Sequence, residues 1–86
     1  MMSLAFDVIS CLQGKTLATA ESCTGGGIGD ALTAVPGASN VYKGGIISYC
    51  NEIKRDLLNV PADVLQLYGA VSAPVAEAMA DRKSVV

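Results

Sequence analysis

Residues 16–49 constrain the fold of this chain more than any other stretch. An apolar, β-compatible segment at residues 16–20 runs into a turn of small and hydroxyl-bearing residues, and helix-compatible residues follow over about 27–35. A second apolar segment, residues 42–49, has the composition of a buried strand. Strand, tight turn, helix and strand in this order predict a parallel strand pair joined by a helical crossover, and hence an α/β fold.

Four other segments carry helix signals. The first is residues 4–12, with an apolar stripe that includes Cys11. The second is residues 51–58, with Asn51 as a cap and with Ile53, Leu57 and Leu58 facing inward. A short helix begins at residues 60–63 and ends at Gly69, and a last helix begins at residues 72–74. The pattern predicts two strands and five helices. Because two strands alone are marginally stable in water, we expect a second chain or further residues to complete the sheet.

Length, charge and cysteine content restrict the class of protein. The 86 residues make one domain at most, with a net charge of −2, which disfavours nucleic acid as a partner. No basic segment precedes the apolar residues at the start, and no long apolar window follows, so we expect a cytoplasmic protein without membrane contact. Three cysteines, an odd number, favour reduced thiols over a disulfide framework.

The chain contains no histidine. One chain therefore cannot assemble a Ser-His-Asp or Cys-His arrangement, and a zinc site would depend on thiols at unsuitable spacings. A nucleophilic mechanism would need lysine, a carboxylate or tyrosine as its base.

The turn at residues 21–26 is a candidate ligand site. Its lack of bulky side chains lets a ligand approach the backbone, and the first N–H groups of the following helix can hold an anion or an oxyanion. The same kind of turn occurs in α/β proteins that bind nothing there. Within it, Cys23 is expected to be a small core residue rather than a reactive thiol.

The sequence resembles the CinA C-terminal domain family of competence/damage-inducible proteins, which includes stand-alone nicotinamide-nucleotide amidases. Four blocks in the family order carry this resemblance: residues 20–26 (AESCTGG), 36–39 (PGAS), 44–54 (GGIISYCNEIK) and 69–72 (GAVS). The resemblance implies a three-layer α/β/α sandwich, of which residues 1–86 form the N-terminal part as a single partial domain. It also implies hydrolysis of the carboxamide of nicotinamide mononucleotide to nicotinic acid mononucleotide and ammonia, without a metal. We expect no other cofactor, and we expect a homo-oligomer because two strands need further partners.

The family's serine and lysine chemistry agrees with the absence of histidine, because a neutral lysine can take the serine proton. By resemblance, Tyr49 and Lys54 receive the catalytic roles of the block that contains them. Ser39 is the favoured nucleophile, and Ser22 is its competitor. Substrate binding or oxyanion stabilisation falls to the turn, at Glu21, Ser22, Thr24, Gly25 and Gly26.

Without the resemblance, each of these residues has an ordinary structural explanation. Lysines such as Lys54 near a helix start are usually solvated, tyrosines such as Tyr49 usually pack in a core, and serines in turns usually cap them. Glu21 could orient Lys54 or cap the turn.

The end of the chain departs from the family. Residues 81–86 turn abruptly polar, and the family's second glycine-rich block does not occur in the sequence. We therefore expect a truncated member. The alternatives to an amidase are an inactive module that binds a ligand or another chain, and an unstable remnant of the domain.

Overall fold

The computed structural model describes residues 4–81. In chain order the elements are α1 (Leu4–Cys11), β1 (Leu17–Glu21), α2 (Gly27–Thr33), a 3-10 helix (Ala38–Asn40), β2 (Tyr42–Ile47), α3 (Asn51–Leu58), α4 (Ala62–Tyr68) and α5 (Ala73–Ala80). No helix within this range has the length and hydrophobicity needed to cross a bilayer. The expected polar ending at residues 82–86 lies outside the described residues.

The strands β1 and β2 pair in parallel, as the strand-helix-strand order predicts. Leu17 pairs with Tyr42, but the next pair is Ala18 with Gly44, so β2 has an extra residue at Lys43. Such a bulge moves the residues after it to the opposite face relative to those before it. From Ala18 and Gly44 onward the register is regular, and it ends with Glu21 beside Ile47.

Hydrophobic clusters cover both faces of this sheet. One cluster contains Ile9 of α1 and Leu32 of α2, against which Leu17 and Tyr42 pack. The other contains Leu58, Leu65 and Val75 of α3, α4 and α5, against which Ala20 and Ile46 pack. The bulge explains why Tyr42 and Ile46 lie on opposite faces although four positions separate them. The result is the expected three-layer α/β/α arrangement.

Some expected boundaries were wrong by a few residues. The first strand lies one residue later than residues 16–20, and β2 ends at Ile47 rather than at residue 49. Ser48 leaves the strand because its carbonyl oxygen turns to accept a hydrogen bond from Lys54 Nζ, at 2.7 Å. A 3-10 helix also forms where the sequence suggested a turn.

The inward face of α3 also differs from the expectation. Lys54 and Leu58 are buried, whereas Leu57 is 47% exposed. These two buried positions are four residues apart and thus share a face of the helix. Asn51 is the first residue of α3 instead of its cap; Cys50 is the cap, and it makes no side-chain capping bond. Cys11, expected in the apolar stripe of α1, is exposed, and Ile9 is buried in its place.

Candidate functional site

Ser22 and Lys54 meet at the carboxyl edge of the sheet. Ser22 directly follows β1, and Lys54 lies in the first turn of α3, after β2. Because parallel strands present their carboxyl ends at one edge, the fold brings the two side chains together. Lys54 Nζ lies 2.9 Å from Ser22 Oγ. A serine hydroxyl in contact with an amine is the arrangement that a serine nucleophile and its base require.

Lys54 is buried to an unusual extent, with 1% of its surface exposed. Its Nζ donates to the carbonyl oxygen of Ser48 at 2.7 Å as well as to Ser22 Oγ. Within residues 4–81 the ion pair joins Arg55 and Asp56, and no carboxylate pairs with Lys54. Lys54 is therefore a buried amine whose hydrogen-bond acceptors are the uncharged oxygens of Ser22 and Ser48.

Ser48 connects this pair to β1. Its N–H donates to the carbonyl oxygen of Glu21 at 2.7 Å, and its Oγ donates to the same oxygen at 3.1 Å. Its own carbonyl oxygen accepts from Lys54. Glu21 and Ser22 are joined by a peptide bond, and hydrogen bonds link Ser22 to Lys54, Lys54 to Ser48 and Ser48 back to Glu21. Ser48 received no role from the sequence, although its position directly after the second strand, like that of Ser22 after the first, was a usable signal.

Glu21 is buried beneath the turn, with 4% of its surface exposed. Its Oε1 accepts from Thr24 Oγ1 at 2.7 Å and from the N–H of Ile28 at 2.8 Å. Its Oε2 accepts from the N–H of Gly29 at 3.0 Å and from Thr19 Oγ1 at 3.4 Å. The hydrogen bond from Thr24 contributes most to a lowered pKa for Glu21, with the two backbone bonds and Thr19 adding to it against the opposing effect of burial.

The backbone of the turn is shaped by its glycines. Gly26 has a φ of 96°, a left-handed backbone conformation that favours glycine. The N–H groups of Cys23, Thr24 and Gly26 have no acceptor within the described part of the chain. At the start of α2, where we expected an external anion to bind, the carboxylate of Glu21 accepts hydrogen bonds from the N–H groups of Ile28 and Gly29.

A cleft of about 500 Å³ opens beside Ser22. This volume lies within the range of about 300–1,000 Å³ that small-molecule sites usually have. Ser22, Cys23, Thr24 and Ile28 form one wall, and the loop before α5 with the first turn of that helix forms the other, at Ala70, Val71, Ser72, Ala73 and Ala76. Cys23 is exposed in this cleft, contrary to the expectation of a core position.

The other predicted catalytic residues lie apart from the Ser22–Lys54 contact. Ser39 is exposed in the 3-10 helix before β2, and its carbonyl oxygen accepts from Lys43 Nζ at 2.8 Å. It therefore stands at the amino edge of the sheet, about 20 Å of strand away from Lys54. Tyr49 lies at the carboxyl edge with 76% of its surface exposed, and no protein partner holds its hydroxyl within residues 4–81. The fold thus brings Ser22, and not Ser39, to Lys54.

Over the same residues, no three histidine, cysteine or acidic side chains cluster as metal ligands would.

Comparison with known sequences relates the chain to one family. A family model described as the CinA C-terminal domain matches residues 3–84. A CinA-like protein of Synechococcus sp. (strain CC9311) is 70% identical over 80 residues, which cover 91% of this chain and 19% of the relative. A CinA-like protein of Gemmatimonas aurantiaca is 58% identical over 70 residues, 81% of this chain and 16% of the relative. The chain therefore spans less than a fifth of the length of these curated relatives.

Solved structures give the same relationship. The competence/damage-inducible protein CihA of Agrobacterium tumefaciens superposes with a TM-score of 0.87 at 41% identity, over 94% of this chain and 55% of that one. The competence damage-inducible protein A (ComA) of Klebsiella pneumoniae has a TM-score of 0.79 at 34% identity, over 92% of this chain and 48% of that one. The chain thus spans about half of each solved relative.

Proposed function

This chain belongs to the CinA C-terminal domain family, and on that basis we propose that it is a nicotinamide-nucleotide amidase. The substrate would be nicotinamide mononucleotide, and the products would be nicotinic acid mononucleotide and ammonia. The observation that carries the proposal is the 2.9 Å contact between Ser22 Oγ and the buried Lys54 Nζ. In a chain without histidine, this pair supplies both a nucleophile and a base.

The reaction begins with proton transfer. Neutral Lys54 accepts the hydroxyl proton of Ser22 as the serine oxygen attacks the carboxamide carbon, which gives a tetrahedral oxyanion. The Lys54 ammonium then returns that proton to the departing nitrogen, the carbon–nitrogen bond breaks, and ammonia leaves. An ester between the substrate acyl group and Ser22 remains.

Water completes the cycle. Lys54 takes a proton from a water molecule, whose oxygen attacks the ester carbon, and the proton passes to Ser22 Oγ as the ester bond breaks. Serine and neutral lysine are regenerated, and the substrate leaves as a carboxylic acid. The net reaction consumes one water for each amide hydrolysed.

The turn offers donors for the oxyanion. The N–H groups of Cys23, Thr24 and Gly26 are unused within residues 4–81 and lie within four positions of Ser22. Backbone N–H groups aimed at a developing oxyanion commonly supply a large share of the rate enhancement in acyl transfer. Tyr49, exposed at the same edge of the sheet, is available to contact the substrate.

The choice of nucleophile follows the geometry. The resemblance favours Ser39, but the contact with Lys54 favours Ser22, which was the competing candidate. We therefore assign nucleophilic attack to Ser22 and no chemical step to Ser39.

A second function, that of a noncatalytic module for binding or assembly, is supported by the open sheet. Within the described residues, β1 and β2 each pair on one side only. Unpaired strand edges accept further strands from the same or another chain. Such a module would bind nicotinamide mononucleotide or associate with itself without turnover.

The deciding experiment measures ammonia release from nicotinamide mononucleotide by the purified chain, with its oligomeric state determined on the same sample. Ser22→Ala should abolish turnover, whereas Ser39→Ala should keep it near the wild-type rate. Loss of turnover in Ser39→Ala with retention in Ser22→Ala would reverse the assignment. A folded wild-type chain without turnover would refute the amidase and favour the binding module.

A further inference from the structure

We propose that Glu21 is a positioning residue, whose carboxylate holds the turn that carries Ser22 so that the serine hydroxyl stays within reach of Lys54. This inference rests on the proposed Ser22–Lys54 chemistry. The resemblance places Glu21 among the residues that bind substrate. Its burial and its four protein hydrogen bonds point to a different role, because its oxygens are already occupied.

The chemistry of the contacts requires a carboxylate. Oε1 accepts from the N–H of Ile28, and Oε2 accepts from the N–H of Gly29. A backbone N–H cannot reverse its polarity as a hydroxyl can. Glutamine has the same shape but one acceptor oxygen, so its NH₂ group would face one of these two N–H donors. Glu21→Gln is therefore a disruptive change here, and it pulls the turn away from the start of α2.

Glu21 is also fixed through its main chain. Its carbonyl oxygen accepts both the N–H and the Oγ of Ser48, and the carbonyl oxygen of Ser48 accepts from Lys54. The main chain of Glu21 is thus connected through Ser48 to Lys54, and its carboxylate is connected to the turn and the start of α2. Ser22, the next residue, cannot shift relative to Lys54 without breaking one of these attachments.

A further polar layer supports the carboxylate from below. Tyr42 OH lies 2.7 Å from Thr19 Oγ1, which in turn donates to Glu21 Oε2. Helix α2 approaches this layer at Gly29, where a Cβ would lie 2.8 Å from Tyr42 OH and 3.3 Å from Oε2. Glycine at position 29 therefore lets the helix come close enough for its N–H to reach the carboxylate.

The test compares Glu21→Gln with Glu77→Gln, a matched control that removes one exposed carboxylate of α5. Hydrogen exchange of the Ile28 and Gly29 amides is followed by NMR, and kcat and KM are measured by ammonia release. In Glu21→Gln, exchange should be faster by about tenfold or more, the order expected from losing a charge-assisted hydrogen bond. The kcat should fall by about 100-fold with KM little changed, as displacement of a reacting group predicts. Glu77→Gln should match the wild type in each measurement.

A second variant keeps the proposal testable if Glu21→Gln does not fold. Thr24→Val removes the 2.7 Å hydrogen bond to Oε1 but leaves the carboxylate and both backbone contacts, so its effects should be smaller in the same direction. The Val60 amide, which donates to the Lys54 carbonyl oxygen, reports whether the core is intact.

Several outcomes would overturn the proposal. One is unchanged hydrogen exchange of the Ile28 and Gly29 amides in both variants at Glu21 and Thr24. Another is a kcat of Glu21→Gln equal to that of Glu77→Gln. A third is a raised KM of Glu21→Gln with unchanged kcat, which would indicate that Glu21 contacts the substrate. If the wild-type chain shows no turnover, the amidase proposal fails by itself. The exchange measurements then still decide whether Glu21 holds the turn.

Discussion

Lys54 Nζ lies 2.9 Å from Ser22 Oγ, although 32 positions of the sequence separate the two residues. The contact exists because each residue follows one strand of a parallel pair. It also sets the inward face of α3, since Lys54 brings Leu58 with it into the core. The reactive pair and the packing of this helix are thus one structural feature.

Replacement of Lys54 by methionine should abolish catalysis while filling most of the side-chain volume. We expect ammonia release to fall by at least about 100-fold, the usual contribution of a general base. Unfolding free energy should fall by about 1–3 kcal/mol, because the buried carbonyl oxygen of Ser48 loses its partner. Lys43→Met is the control: this exposed lysine donates to Ser39 at the other edge of the sheet, and its loss should leave the rate unchanged. Equal rates in the two variants would exclude Lys54 as the base.

Acid should destabilise the protein through Glu21. Its folded-state pKa is lowered from an ordinary value of 4.5, chiefly by the hydrogen bond from Thr24. The unfolded chain therefore binds more protons in this range, and the contribution of Glu21 to stability is present above about pH 4.5 and lost as the pH falls through the lowered folded-state value. Denaturant unfolding between about pH 6 and 3 should show a shallower decline for Glu21→Gln than for the wild type. Identical slopes would contradict the assignment, with Glu77→Gln as the control.

Gly45→Ala should destabilise the fold by overpacking. A Cβ at position 45 would lie 2.9 Å from the Thr19 carbonyl oxygen and 2.9 Å from Tyr42 OH, and it would also contact Thr19 Oγ1. We expect a loss of about 1–3 kcal/mol in unfolding free energy, measured by urea denaturation. At Gly27, in contrast, a Cβ would meet Thr24 Cβ at 3.8 Å, an ordinary contact. Gly27→Ala should therefore be tolerated, and comparable losses in both variants would argue against this packing.

The hydrophobic cluster that α3, α4 and α5 form against the sheet should contribute a large share of the unfolding free energy. Leu58 is 2% exposed and packs with Val60, Leu65 and Val75. Leu58→Ala should cost about 2–5 kcal/mol in unfolding free energy, since it leaves a cavity in this cluster. Leu67→Ala, at a side chain that is 73% exposed, is the matched change on the surface and should cost far less. A similar melting temperature for both variants would show that the cluster is loosely packed.

The sequence by itself determined the parallel strand-helix-strand unit and the family. Apolar segments of strand length, a glycine-rich turn and a crossover helix leave few other arrangements, and four motif blocks identify the relatives. The absence of histidine also limited the chemistry to a base such as Lys54. These conclusions depend on local composition and order, which a sequence contains directly.

Only the tertiary structure decided which serine meets the lysine and what Glu21 and Ser48 contact. From the sequence, Ser39 and Ser22 both fall in turn-like segments of small residues. In the structure one segment precedes β2 and the other follows β1, so the two serines lie at opposite edges of the sheet. The rotation of α3, which buries Lys54 and exposes Leu57, accompanies the hydrogen bonds of Lys54 to Ser22 and to Ser48, both outside the helix. Hydrophobic periodicity cannot predict such partners. It shows which residues of one helix share a face, but not which polar groups of other segments that face will contact.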